Sequence, residues 1–283
     1  MSVPPIALAD AYTRLTKAFP GLDITQPPSD EQLPSHDGWI TAASLAEGGP
    51  DLDTFLAWDD AQVRRDYGQP ARPDVVAGFG LHRYAWPACL LITVPWFLLR
   101  RVPRFPVTHV SYDRTAPGLA TGRLAARPTT FACLPGDPAA TLPGARVVPD
   151  EEALRAEVRT AVAEHLEPVL TAFGPRMRRR GRALWGMVTD EVVEGLWYVA
   201  HLLGEGEQDR ARRELELLLP GATQPYAGSA AFRELTGPDG ESLPTRDRVS
   251  CCMFYTLRPE DTCPTCPRTC DADRATRLLA AAS

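Results

Sequence analysis

The chain has 283 residues, 44% hydrophobic and 23% charged. That composition is ordinary for a globular protein, and the length is enough to bury a core without disulfides. A formal net charge of −6 argues against nucleic acid as a partner, because phosphate binding wants a basic face.

The opening MSVPPIALADAYTRLTKAF lacks the basic-then-apolar pattern of a leader. Helical spacing predicts a short amphipathic helix over 7–19. A Pro- and Asp-rich loop follows over 20–37. A helix over 51–67 with Asp53 as its cap is next. A mostly apolar helix is predicted over 73–101, broken near Pro95. Its most apolar part, AWPACLLITVPWFLL (85–99), is too short by itself to span a bilayer and reads as buried. The expected location is the cytoplasm, with peripheral membrane contact as a variant. Short β-branched or alternating runs at 107–112, 119–124 and 129–134 predict a small antiparallel sheet. Acids after Asp150 open a helix that runs to about 173. Further helices are expected over 181–203 and 208–219. A Gly/Pro/Ser-rich linker covers 220–245, and a terminal helix 271–282. The expected class is α+β: a mainly helical body, a small antiparallel sheet and a C-terminal cysteine-rich segment. The regions are drawn at 1–105, 106–245 and 246–283.

Five of the seven cysteines fall in the last 33 residues, as Cys251-Cys252-x10-Cys263-x2-Cys266, then Cys270. A cytosolic chain of this size has little use for structural disulfides. The Cys-x2-Cys turn, stiffened by Pro264 and Pro267, suits zinc or an iron–sulfur centre. Adjacent cysteines diverge and suit a two-iron rhomb better than one tetrahedral ion. Zinc and unliganded thiols stay open on spacing alone. Arg246 and Arg248 precede the pair; near a cluster they favour its more negative, reduced state.

The stretch RVSCCMFYTLRPEDTCPTC resembles the C-terminal signature of FhuF-like ferric-siderophore reductases. Arg248, Cys251, Cys252, the aromatic Tyr255, Cys263 and Cys266 carry the resemblance. It implies one 2Fe-2S cluster on those four cysteines, with Arg246, Arg248 and Tyr255 tuning it, and one-electron reduction of siderophore-bound Fe(III). Cys270 is not required by the family pattern and is expected to be no ligand. The body is distantly similar in layout to part of the aerobactin-type siderophore synthetases, sharing words such as RALWG (182–186). The competing readings are a non-catalytic adaptor with a structural zinc site and a biosynthetic relative that lost its ATP site.

No strand-borne Gly-x-Gly-x-x-Gly, P-loop or flavin fingerprint is found. No bound flavin or NAD(P) is therefore expected, and the electron donor is a separate protein such as a ferredoxin. RMRRRGR (176–182) is the densest cationic run in an acidic chain. Arg178, Arg179 and Arg180 with Trp185 are the candidate wall for a ferric siderophore. RRVPR (100–104) is a second basic run. The five histidines are read as structural, Cys89 and Cys133 as buried and inert, and Trp197 and Tyr198 as core.

Overall fold

The structure, a computed structural model, describes residues 3–282 apart from Pro117, Ala222 and Asp261. Helix α1 (Ala9–Ala18) buries Ala11, Tyr12 and Leu15. The expected loop over 20–37 is shorter than drawn. It opens with strand β1 (Leu22–Thr25), followed later by β2 (Trp39–Thr41) and α2 (Ala42–Glu47). Three- and four-residue strands give too little alternation to be read from sequence. Helix α3 (Pro50–Tyr67) starts at Gly49 with Pro50 in its first turn. Asp53 is therefore no cap. It sits inside the first turn, 2.7 Å from Arg176.

Helix α4 (Pro73–Leu99) runs through Pro87 and Pro95 without a break, and both prolines are buried. It is long and apolar enough to cross a membrane, but 78% of its most apolar window is buried inside the fold. Neighbours on every side offset the lost backbone bonds that break an exposed helix at proline. The basic run at its end is neutralised. Arg100 pairs with Glu214, Arg101 with Asp137 at 2.6 Å and Arg104 with Glu157 at 2.6 Å.

The sheet region holds more than the one antiparallel sheet expected. Strands β3 (Arg101–Arg104), β4 (Val110–Asp113), β5 (Gly122–Ala126), β6 (Thr130–Cys133) and β7 (Ala145–Val147) form two small sheets. Their orders are β1-β5-β4-β2 and β3-β6-β7, with β1/β5 and β6/β7 parallel and the other pairs antiparallel. Gly122 has φ +110°, and a Cβ there would meet the Asp113 carbonyl at 2.5 Å, so only glycine fits.

Helix α5 (Glu151–Met177) is capped by Asp150, whose carboxylate accepts the Ala153 N–H at 2.8 Å. It ends at Arg178 in the left-handed region. Helix α6 (Gly181–Leu203) starts with Arg180 as its cap. RMRRRGR is thus the tight turn between two long helices. Basic side chains there also complement the C-terminal dipole of α5. Both helices pack on α4. Helix α7 (Glu207–Leu218) follows. The expected linker contains a hairpin, β8 (Phe232–Thr236) with β9 (Ser242–Arg246). It feeds the cysteine segment, and α8 (Asp271–Ala282) closes the chain against that hairpin. One hydrophobic core draws side chains from Val3 to Ala230.

Candidate metal centre

Sequence order puts the cysteines just after β9, and α6 receives them. Asp190, fully buried, accepts from the Val249 N–H (2.9 Å), the Ser250 N–H (2.8 Å) and the Ser250 hydroxyl (2.7 Å). Two arginines complete its surroundings: Arg248, 3.7 Å away, and Arg246, also fully buried, which donates to Asp190 at 2.8 Å, to Glu194 at 3.1 Å and to the Ala230 carbonyl at 3.0 Å. Glu194, one turn along α6, also accepts from the Thr265 hydroxyl at 2.6 Å. Its burial works to raise its pKa, but Arg248 and Arg246 outweigh that and hold it below the ordinary value. Two carboxylates spaced i, i+4 share one helix face and so clamp both halves of the segment. Gly186 makes room for it: a Cβ there would lie 3.1 Å from Val249.

The two cysteine turns are tied together by the Arg248 N–H on the Thr265 carbonyl, 3.4 Å, and the second turn closes from the Cys266 N–H to the Cys263 carbonyl, 3.0 Å. Cys266 is buried, and Cys251, Cys252 and Cys263 are half-buried. Met253, in the left-handed region, points its N–H at Cys251 Sγ, 3.4 Å, and the Phe254 N–H bonds Cys252. Burial pushes the Cys252 and Cys263 thiols up. Arg248 opposes it at both, and Cys266 adds to it at both. These three cysteines and Arg248 therefore share one electrostatic neighbourhood. Arg246 instead anchors the segment to α6, and Tyr255 lies under the Arg268 guanidinium, 4.1 Å from its ring centroid. Cys270 is exposed at the start of α8.

Arg179 reaches the same segment from the α5–α6 turn and donates to the Cys251 carbonyl at 2.7 Å. Arg178, Arg179, Arg180 and Trp185 line one cavity of about 620 Å³, with Glu167 also on its wall. Arg176 is paired with Asp53. Cys89 and Cys133 are buried with thiols pushed up by desolvation. Trp197 packs edge-on against Phe232 at 5.1 Å, but Tyr198 is 46% exposed and not core. Sequence reasoning missed Asp190, Glu191, Glu194, Gly186 and Arg274. The available signal was TDEVVEG, three acids inside an apolar helix, which need buried cations from elsewhere.

The family model of the FhuF 2Fe-2S C-terminal domain matches residues 248–268. The chain is FhuF-like at its C-terminus. No curated protein matches it. The FhuF segment supplies four thiols with backbone N–H groups and a guanidinium beside them, a donor set that fits a 2Fe-2S cluster. Among the described residues no three His, Cys, Asp or Glu side chains stand close enough to hold a single ion.

Proposed function

We propose that this chain is a cytoplasmic reductase of siderophore-bound Fe(III), with one 2Fe-2S cluster on Cys251, Cys252, Cys263 and Cys266. The observation that carries the reading is the double position of Arg179. It lines the cationic cavity and holds the carbonyl of Cys251. A chelate in that cavity sits one side chain from the cysteines.

Ferric siderophores hold iron with hard oxygen donors, which suit Fe(II) far less, so one electron loosens the chelate. A bound 2Fe-2S cluster supplies one electron at a time. Arg178, Arg179, Arg180 and Trp185 hold the chelate by charge and ring contact. Arg248 favours the more negative state of the centre, and Arg246 fixes Arg248 and the cysteine turn through Asp190 and Glu194. Tyr255, with Arg268 over its ring, would be the third side chain tuning the centre. A separate protein such as a ferredoxin delivers the electron, with no flavin or NAD(P) bound here.

The test is anaerobic purification with iron and acid-labile sulfide analysis, then dithionite reduction and mixing with ferric siderophores of several classes. We expect bleaching, a spin-half signal and single-turnover reoxidation. Changing Arg178, Arg179 and Arg180 together to Gln should slow reoxidation and flatten its salt dependence with an anionic chelate, each exposed contact being worth about 1 kcal/mol or less. Stoichiometric zinc without sulfide would make the chain an adaptor with a structural zinc site.

A further inference from the structure

A second cavity, of about 240 Å³, shares no lining residue with the first and contains none of the cysteines. It lies between α3, α4, α6 and the loop before β5. Three rings meet at its edge: Phe19 and Trp86 with centroids 5.4 Å apart, Phe19 and Tyr198 at 5.9 Å, and Trp86 and Tyr198 at 6.3 Å. Tyr198 is half exposed there, although a large ring on an apolar helix face normally turns inward.

The polar side of the cavity carries Arg83 and Arg114. Arg83 Nε lies 2.7 Å from Asp59 Oδ1 and Arg114 Nη1 lies 2.7 Å from Asp59 Oδ2. Asp59 is fully buried, so two guanidiniums share one carboxylate and one positive charge is left over. His82, the third cation candidate on the wall, is already matched by Glu191 at 2.8 Å. Among the described lining residues there is no carboxylate. Arg114 is spent: its side chain is 5% exposed and it also bonds Gln62 at 2.6 Å. Arg83 is 27% exposed, and among the described residues Asp59 is its one ionic partner. A guanidinium has five N–H donors in a fork that matches a carboxylate, so Arg83 keeps donors for a ligand.

Size narrows the ligand. An apolar cavity of about 150 Å³ holds one benzene; this one leaves room for a ring bearing an acid group. We propose that the cavity is a binding site for a small aromatic carboxylate. The ring stacks among Phe19, Trp86 and Tyr198, and the carboxylate meets Arg83. The site is independent of the proposed reductase chemistry.

Titration of the full chain with benzoate, by calorimetry and ligand-observed NMR, tests this. A Kd of about 1 mM or tighter is expected, with acetate and benzamide at least about tenfold weaker, because each lacks one half of the match. Tyr198→Ala and Arg83→Gln should each weaken benzoate several-fold while the visible spectrum stays unchanged. Because Arg83 also supports Asp59, the exposed Ala120→Trp, which fills the cavity from the loop, is the second blocking variant and should abolish binding. The proposal is overturned if benzoate does not bind, if acetate binds as well as benzoate, or if folded Tyr198→Ala and Ala120→Trp chains keep wild-type affinity.

Discussion

The body and the cysteine segment bury different kinds of side chain. The body packs Leu, Val, Ala and aromatic residues around α4, with Trp96, Phe97, Phe131 and Phe173 at or near complete burial. Beyond β9, the buried hydrophobic side chains among the described residues are Leu257 and Cys266 alone. The groups buried beside them are Ser250 and Arg274, and Arg246 at the end of β9. Arg274 donates to Asp247 at 2.6 Å and to the Cys266 carbonyl at 3.1 Å. Apolar packing is additive and tolerant, whereas a buried ion network fails when one partner is removed. The segment is therefore fastened at a few polar points, and the buried carboxylate among them, Asp190, lies on α6.

The sharpest way to break this contrast is Asp190→Ala. It leaves Arg246 buried without its nearest carboxylate and orphans two backbone N–H groups. A loss of about 3–5 kcal/mol is expected, together with iron loss and protease cleavage near residue 250. A body change such as Leu196→Ala should cost about 2–5 kcal/mol in urea unfolding but leave the segment protected. Equal proteolysis of the two variants would erase the distinction.

Acid should act on the body first. His165 is buried, donates from Nδ1 to the Phe105 carbonyl at 2.8 Å and accepts the Tyr84 hydroxyl at Nε2, 2.7 Å. Desolvation lowers its pKa to about 4, against 6.5 as the ordinary value. As pH falls below 6.5, the unfolded chain takes a proton that the folded chain refuses, so stability falls. His82 behaves oppositely: Glu191 raises its pKa, so its contribution is already complete below 6.5 and adds no slope there. Between pH 6.5 and 4.5 the loss should be about 2–3 kcal/mol. A folded His165→Gln chain should show a much flatter urea-stability profile over that window.

Gly186→Leu tests the close approach of segment to helix. Its side chain must displace Val249, at a cost of about 1–3 kcal/mol, and iron occupancy should fall more than helicity measured by circular dichroism. The smallest effect belongs to Cys270→Ser, an exposed change expected to stay within about 0.5 kcal/mol and to keep the full visible spectrum. Loss of colour in that variant would place Cys270 among the ligands.

Long periodic elements were legible without coordinates. Helices α1, α3, α4, α5, α6 and α7 all lie close to the positions that apolar spacing and capping acids predict, because a helix declares itself every three to four residues. The C-terminal cysteine pattern was equally plain, since thiols at fixed spacing on a turn serve few purposes. Strands β4, β5 and β6 overlap the three runs predicted from alternation, but β1, β2, β3, β7 and the β8–β9 hairpin were not legible. Nor was the continuity of α4 through Pro95, which depends on the neighbours that enclose it.

By itself, then, the sequence determined the helical body and the four-thiol segment, because both are set by local spacing. Tertiary structure alone decided what the charges do. RRVPR became a set of internal ion pairs, Arg246 a buried anchor and Arg179 a bridge between a cavity and Cys251. A charged side chain takes its role from the partner that desolvates with it. That partner here lies tens of residues away in the chain, where no local pattern can name it.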